Sequence, residues 1–175
     1  MSSDAPQLIL ISGAVGVGKT TIANELSALL VSNAIAHTYV DLDALTHTYP
    51  RPKHDPFGQG FALQNLQAVW GNAQAHNPRL LLIARVIETE AGARKIADAV
   101  ALDRFTLIQL VARDETLLDR VRQRENGSGR EWHEARAIEL SRILSQTEFA
   151  DHVFTTDDKS STEIATEILK TLELE

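Results

Sequence analysis

An α/β fold, with a five-stranded parallel sheet and helices on both faces, is what this 175-residue sequence predicts. Three observations carry the expectation. Short apolar runs alternate with stretches of helical periodicity five times, the pattern of strands joined by crossover helices. One run, RLLLIARVIE (Arg79–Glu88), is apolar on both faces, as a central parallel strand should be. The first run opens directly into the glycine-rich turn GAVGVGKT (Gly13–Thr20), which leads into a helix.

QLILIS (Gln7–Ser12) is the first buried strand. From Lys19 the period becomes helical, with Ile22, Leu26, Leu29 and Leu30 on one face. AHTYVD (Ala36–Asp41) reads as the second strand. TYPRPKHDPFGQG carries three prolines and two glycines and reads as a loop. A helix over about Phe61–His76 follows, with Leu63, Leu66, Val69 and Trp70 on one side. Next come the strand Arg79–Glu88, a helix near Ala91–Val100, a strand Arg104–Ala112 and a helix Glu115–Arg124. ENGSGRE is a turn, Glu134–Thr147 a further helix and His152–Thr156 the last strand. SSTEIATEILKTL closes the chain as a helix, and Ser160 with Glu163 fits a capping box. Right-handed crossovers place the carboxyl ends of all strands on one rim, where a site is expected.

The length fits one domain over residues 1–175. No apolar run reaches the roughly 20 residues of a membrane span. MSSDAPQ lacks the basic and apolar parts of a secretory leader, so a cytoplasmic location is expected. Lys plus Arg number 17 against 24 Asp plus Glu, a net charge of −7, which repels a nucleic-acid backbone. Aromatics are 5%, too few for a base-stacking platform. No cysteine is present, and the six histidines lack zinc-ligand spacing. The expectation is no nucleic-acid partner and no membrane partner; the oligomeric state is open.

Gly13, Gly18, Lys19 and Thr20 match G-x-x-x-x-G-K-[ST] between a strand and a helix. Glycines let backbone N–H groups turn inward around nucleotide phosphates, and the helix N-terminus adds positive potential. Gly13, Ala14, Val15, Gly16, Val17, Gly18, Lys19, Thr20 and Thr21 are therefore the expected nucleotide-binding residues. Lys19 reaches the β and γ phosphates, and the Thr20 hydroxyl takes a place on Mg²⁺. The fold class is then a P-loop NTPase three-layer sandwich. A GTPase branch is disfavoured. DPFG (Asp55–Gly58) matches D-x-x-G by letter but follows no strand, and N-K-x-D is absent. A motor-type ATPase would end an apolar strand in Asp-Glu, and the third strand ends ARVIE instead.

Three stretches together resemble small-molecule kinases of the adenylate kinase-like group, such as shikimate, gluconate and adenylylsulfate kinases and chloramphenicol phosphotransferase. GAVGVGKTTIANEL is similar to their opening loop, with the extra glycine at Gly16. YVDLDAL is similar to the acidic pair ending their second strand. LLDRVRQRENGSGR is similar to their R-x-x-x-R entry to an arginine-bearing lid. The resemblance implies transfer of the γ-phosphate of Mg-ATP to a hydroxyl of a small-molecule acceptor. It also implies an acceptor-binding region over about 43–78 and a short lid over about 125–134. Two rivals stand beside it: a hydrolytic or regulatory NTPase acting through a protein partner, and a kinase of nucleic-acid ends.

Asp41 and Asp43 alternate with Leu42 on an extended chain and face one side. The resemblance gives Asp43 the acceptor hydroxyl and Asp41 the metal, with the roles exchangeable. The alternative for Asp43 is an N-cap on a helix starting at Ala44. Arg120 and Arg124 share a helix face. By resemblance Arg120 lies against the nucleotide, while Arg124 and Arg130 close over its phosphates; a solvated basic face is the alternative. Glu88 stands where related proteins place an acid that holds Mg²⁺ through water. Arg85 interrupts an apolar strand and needs a partner or a ligand: a neighbouring acid such as Glu88, or an anionic substrate in the cleft. ETEAGAR departs from the Gly-rich turn of shikimate kinases. Arg51, Lys53 and His54 are loop residues that either read an acidic group or face solvent. Asp157 and Asp158 stand where the group forms its adenine loop, or act as turn and cap residues.

Overall fold

The computed structural model describes residues 6–124, 127 and 129–174. Five strands form one parallel sheet: β1 (Gln7–Gly13), β2 (His37–Asp41), β3 (Leu80–Ala84), β4 (Phe105–Val111) and β5 (His152–Thr155). Their order is β2-β3-β1-β4-β5, so β1 is central and its carboxyl end opens between β3 and β4. The helices are α1 (Lys19–Ser32), α2 (Gln59–Ala73), α3 (Glu90–Ala99), α4 (Asp114–Arg124), α5 (Arg130–Ser145) and α6 (Ser161–Thr171).

Side-chain alternation along the strands divides the interior into two layers. Ile9, Ile11, Leu80 and Leu82 face one side and pack with residues of α1, α4, α5 and α6. Leu8, Leu10, Leu81 and Ile83 face the other and pack with α2 and α3 through Leu66, Trp70, Ala93 and Ile96. Both faces of β1 and β3 are therefore apolar, and each buried Leu or Ile contributes roughly 1.5–3 kcal/mol. Gln109 is a buried polar exception on β4. Its amide donates to Leu144 O at 2.9 Å and its carbonyl accepts from the Thr147 hydroxyl at 3.1 Å.

Helix ends follow local chemistry. Asp55 accepts from the N–H groups of Gln59 and Phe61 at 2.7 and 3.0 Å, so the DPFG tetrad serves the start of α2. Thr89 caps α3 by accepting from Gly92 N at 3.1 Å. Ser160 and Glu163 form the expected capping box of α6.

The third strand is shorter than its apolar pattern predicts. Arg85 N still donates to Ile11 O at 3.0 Å, but beyond it the backbone leaves the ladder. Ile87 N donates to the buried Ser12 hydroxyl at 2.9 Å, and that hydroxyl donates to Ile87 O at 3.3 Å. Arg85 and Glu88 therefore lie after the strand: Arg85 does not interrupt it, and Glu88 does not close it. α5 begins four residues earlier than its periodicity predicts, and Arg130 and Glu134 pair along its first turn at 3.4 Å. Of the expected lid, residues 125, 126 and 128 lie outside the described residues, and residues 130–134 are this first turn of α5.

The Ser12 clasp gives a test. Ser12→Ala should strand the backbone N–H and C=O of Ile87 in the interior and lower the unfolding free energy by about 1–3 kcal/mol. Urea unfolding measures this; an unchanged midpoint would show that segment 85–88 is held by other contacts.

Candidate functional site

The loop between β1 and α1 is built from backbone conformations that side chains resist. Gly13 and Gly16 have φ of 151° and 84°. A Cβ on Gly13 would lie 2.6 Å from Leu110 O, and one on Gly16 would lie 2.8 Å from Leu117 O. The loop thus sits tight against β4 and α4. Ala14 and Val17 turn their side chains into the core, 5% and 1% exposed, so only their backbone faces the concavity. Val15 also packs against the core.

Lys19 folds its amino group back onto the loop, donating to Gly13 O at 2.9 Å and Ala14 O at 3.0 Å. Burial, opposed by Asp43 and Asp41 and aided by Arg124, lowers its pKa to about 8. Thr20 donates its hydroxyl to Asp41 Oδ2 at 2.8 Å. Asp41 Oδ1 accepts from Asp43 N at 3.1 Å. The Thr20 hydroxyl, the Asp41 carboxylate and the Asp43 amide therefore form one polar chain across the strand ends, beside Lys19. Asp43 makes no capping bond to the short 3₁₀ turn at Ala44–Thr46 that follows it, which removes the N-cap reading. Its carboxyl is pushed up by desolvation, against the pull of Arg85 and Lys19.

A cavity of about 440 Å³ adjoins the loop, lined in part by Gly16, Thr21, Arg120, Arg124, Thr156 and Lys159. Arg120 forms its wall. One guanidinium nitrogen donates to Val17 O at 3.2 Å and Thr156 Oγ1 at 2.9 Å; another donates to Thr156 O at 2.8 Å. Asp157 and Asp158 do not line this cavity. They tie the β5–α6 turn to α4: Asp157 accepts from Arg113 N at 3.0 Å and Thr116 Oγ1 at 2.6 Å, and Asp158 pairs with Arg113 at 3.1 Å.

Arg130 pairs with Glu134, which also pairs with Arg122 at 3.2 Å. Glu88 pairs with Arg136 of α5, which pairs in turn with Glu139 at 2.8 Å. Arg85, rather than pairing with Glu88, stands 4.0 Å from Asp43. In the Pro-rich loop, Arg51 donates to Pro56 O at 3.1 Å. Arg136, Arg113 and Thr156 are the contributors that sequence reasoning missed. Arg136 is one of several charges on a solvated-looking helix, and nothing in its spacing marks its partner. Thr156 acts partly through its backbone carbonyl, which leaves no residue signature.

The polar chain fits magnesium. A hydroxyl and a carboxylate on hard oxygen atoms, beside a phosphate loop, are what an ion keeping water and phosphate ligands requires. Among the described residues no group of three or more His, Cys, Asp and Glu side chains stands ready to hold a metal. Magnesium would need nucleotide oxygens to complete its shell.

Strand, glycine loop, lysine and hydroxyl on a parallel sheet define a P-loop nucleotide-binding fold. The chain belongs to the AAA domain family, whose sequence profile matches residues 9–142. A comparison with curated protein sequences finds no match. Among solved structures, the tunicamycin resistance protein of Deinococcus radiodurans is similar, with a TM-score of 0.65 and 19% identity over 96% of each chain. Shikimate kinase from Acinetobacter baumannii, in complex with shikimate, has a TM-score of 0.61 and 20% identity, covering 98% of this chain and 95% of its own. The Mycobacterium tuberculosis APS kinase, in complex with AMPPNP and APS, has a TM-score of 0.60 and 21% identity, covering 96% of this chain and 98% of its own. The likeness is one of fold, and it is the fold of the kinase group that the sequence resembles. No helix among the described residues is long and apolar enough to cross a membrane.

The lowered pKa of Lys19 predicts a pH dependence. An oxyanion beside its amino group restores the charged form, so nucleotide binding takes up a proton wherever free Lys19 has lost one. Mg-ADP affinity should be level well below pH 8 and fall as pH rises through about 8. Calorimetry in buffers of different ionisation enthalpy should register proton uptake near that pH. Affinity that stays level a full unit above it would contradict the assignment.

Proposed function

We propose that the protein transfers the γ-phosphate of Mg-ATP to a hydroxyl group of a small-molecule acceptor. The observation that carries this reading is the placement of Asp43. It stands on the rim beside Lys19 and is joined through Asp41 to Thr20, and it faces no capping duty. The fold likeness to the A. baumannii and M. tuberculosis kinases supports the same class.

The roles follow from position. The amides of residues 13–20 and the Lys19 ammonium hold the β and γ phosphates. Thr20 and Asp41 would hold magnesium, which supplies charge neutralisation between the phosphates. Arg120 and Arg124 line the nucleotide cavity, and Arg130 is the lid residue that closes on the phosphates once released from Glu134. Glu88 would support a magnesium ion only once its pair with Arg136 opens. Asp43 orients the acceptor hydroxyl. As the acceptor oxygen bonds to the γ-phosphorus, the bond to the bridging oxygen breaks and ADP leaves. The hydroxyl proton passes to Asp43, whose raised pKa makes it the better proton acceptor. The loose transition state demands little base strength, so orientation is the larger part of its work.

Two experiments test this. Asp43→Asn should cut phosphate transfer by roughly 10²–10⁴-fold while Mg-ATP affinity stays nearly constant; equal loss of both would count against the role. ATP consumption should rise when one member of a metabolite panel is added. Fast turnover in water without any acceptor would favour a hydrolytic NTPase, and stimulation by a 5′-hydroxyl oligonucleotide would favour an end kinase.

A further inference from the structure

Arg85 spends little of its hydrogen-bonding capacity inside the protein. It follows β3, one residue beyond Ala84, which is paired with Asp41 on one side and Ile11 on the other. That puts it between the phosphate loop and the acidic pair. Its side chain is only 14% exposed. A guanidinium carries five donors, and one this deeply placed normally uses most of them. Arg120 donates three hydrogen bonds, and Arg136 pairs with two carboxylates. Among the described residues the Arg85 guanidinium donates none, and its one ionic partner is Asp43, through Nε at 4.0 Å.

A second cavity, of about 190 Å³, opens beside Arg85, separate from the nucleotide cavity. Lys95, Gln59 and Thr89 also line it. Glu88 lines it too, but its charge is answered by Arg136. The cavity thus carries Arg85 and Lys95 in a chain whose net charge is −7. The Ser12 clasp on Ile87 fixes the backbone of its floor.

We propose that Arg85, with Lys95, anchors an oxyanionic group of the acceptor, so that the substrate is a small hydroxyl compound bearing a carboxylate or similar anion. The inference rests on the phosphotransferase reading above and adds the substrate class. The planar fork matches a two-oxygen anion in bidentate fashion. Asp43 stands close enough that one small molecule touches both: its anion on Arg85, its hydroxyl at Asp43, facing the γ-phosphate.

The test uses the full chain and matched pairs that differ in charge: D-glycerate with glycerol, D-gluconate with D-glucitol, and shikimate with its methyl ester. ATP turnover and the thermal shift in Mg-ADP are recorded for each. An acidic member should be favoured over its neutral twin. For that acid, Arg85→Met should raise KM at least tenfold with a smaller change in kcat. Arg85→Lys should recover part of the loss, since it keeps the charge and loses the fork. Lys95→Met, on an exposed stretch of α3, gives a second variant and should raise KM several-fold. A neutral twin used as well as its acid, or an acid whose KM ignores Arg85, would overturn the anchor and leave the phosphotransferase reading standing. ATP turnover and melting that ignore every member of the panel would overturn both.

Discussion

The closeness of β1 to β4 at Gly13 is the constraint on which the site depends. A Cβ there would overlap the Leu110 carbonyl, so the chain leaves the sheet by a route open only to glycine. Gly16 repeats the condition against α4. Between them the loop turns its apolar side chains, Ala14 and Val17, into the core and leaves backbone on the concave side. A loop anchored this way spends core packing to hold its amides in place, and a bound anion then pays little for ordering them.

Electrostatics follows from that geometry. The loop carries Lys19 into a place where its charge is poorly solvated, and the lysine turns to the carbonyls of its own loop. Acids on and just after β2 and cations from α4 and from the segment after β3 surround the same rim. Parallel strand order brings these groups together although they are far apart in sequence. The same rim divides into two recesses: one bounded by Arg120 and the β5–α6 turn, the other by Arg85 and α3.

Much of the fold was legible in the sequence because its signals are local and periodic. Two-faced apolar runs, a glycine-rich turn and a capping box each depend on neighbours a few residues away, and all five strands lie on the runs those signals mark. The P-loop was legible for the same reason. The features that local patterns do not reveal depend on partners distant in sequence. β3 ends at Ala84 because a serine on β1 takes the next backbone groups, which no pattern in ARVIE reveals. Asp157, open between a nucleotide-loop residue and a turn residue, finds Thr116 and Arg113 some forty positions earlier. Glu88 meets Arg136, a partner that nothing in ETEAGAR marks. Charge type is readable from sequence; which charge it meets is set by topology.

The central claim is that backbone amides of residues 13–20, with Lys19, receive the terminal phosphates of a nucleotide. A crystal structure of the protein with Mg-AMPPNP tests it most directly. Phosphate oxygens are expected within hydrogen-bond distance of those amides, with the Lys19 amino group moved from the carbonyls of Gly13 and Ala14 onto a phosphate. Saturating nucleotide with the loop empty and Lys19 still bonded to those carbonyls would contradict it.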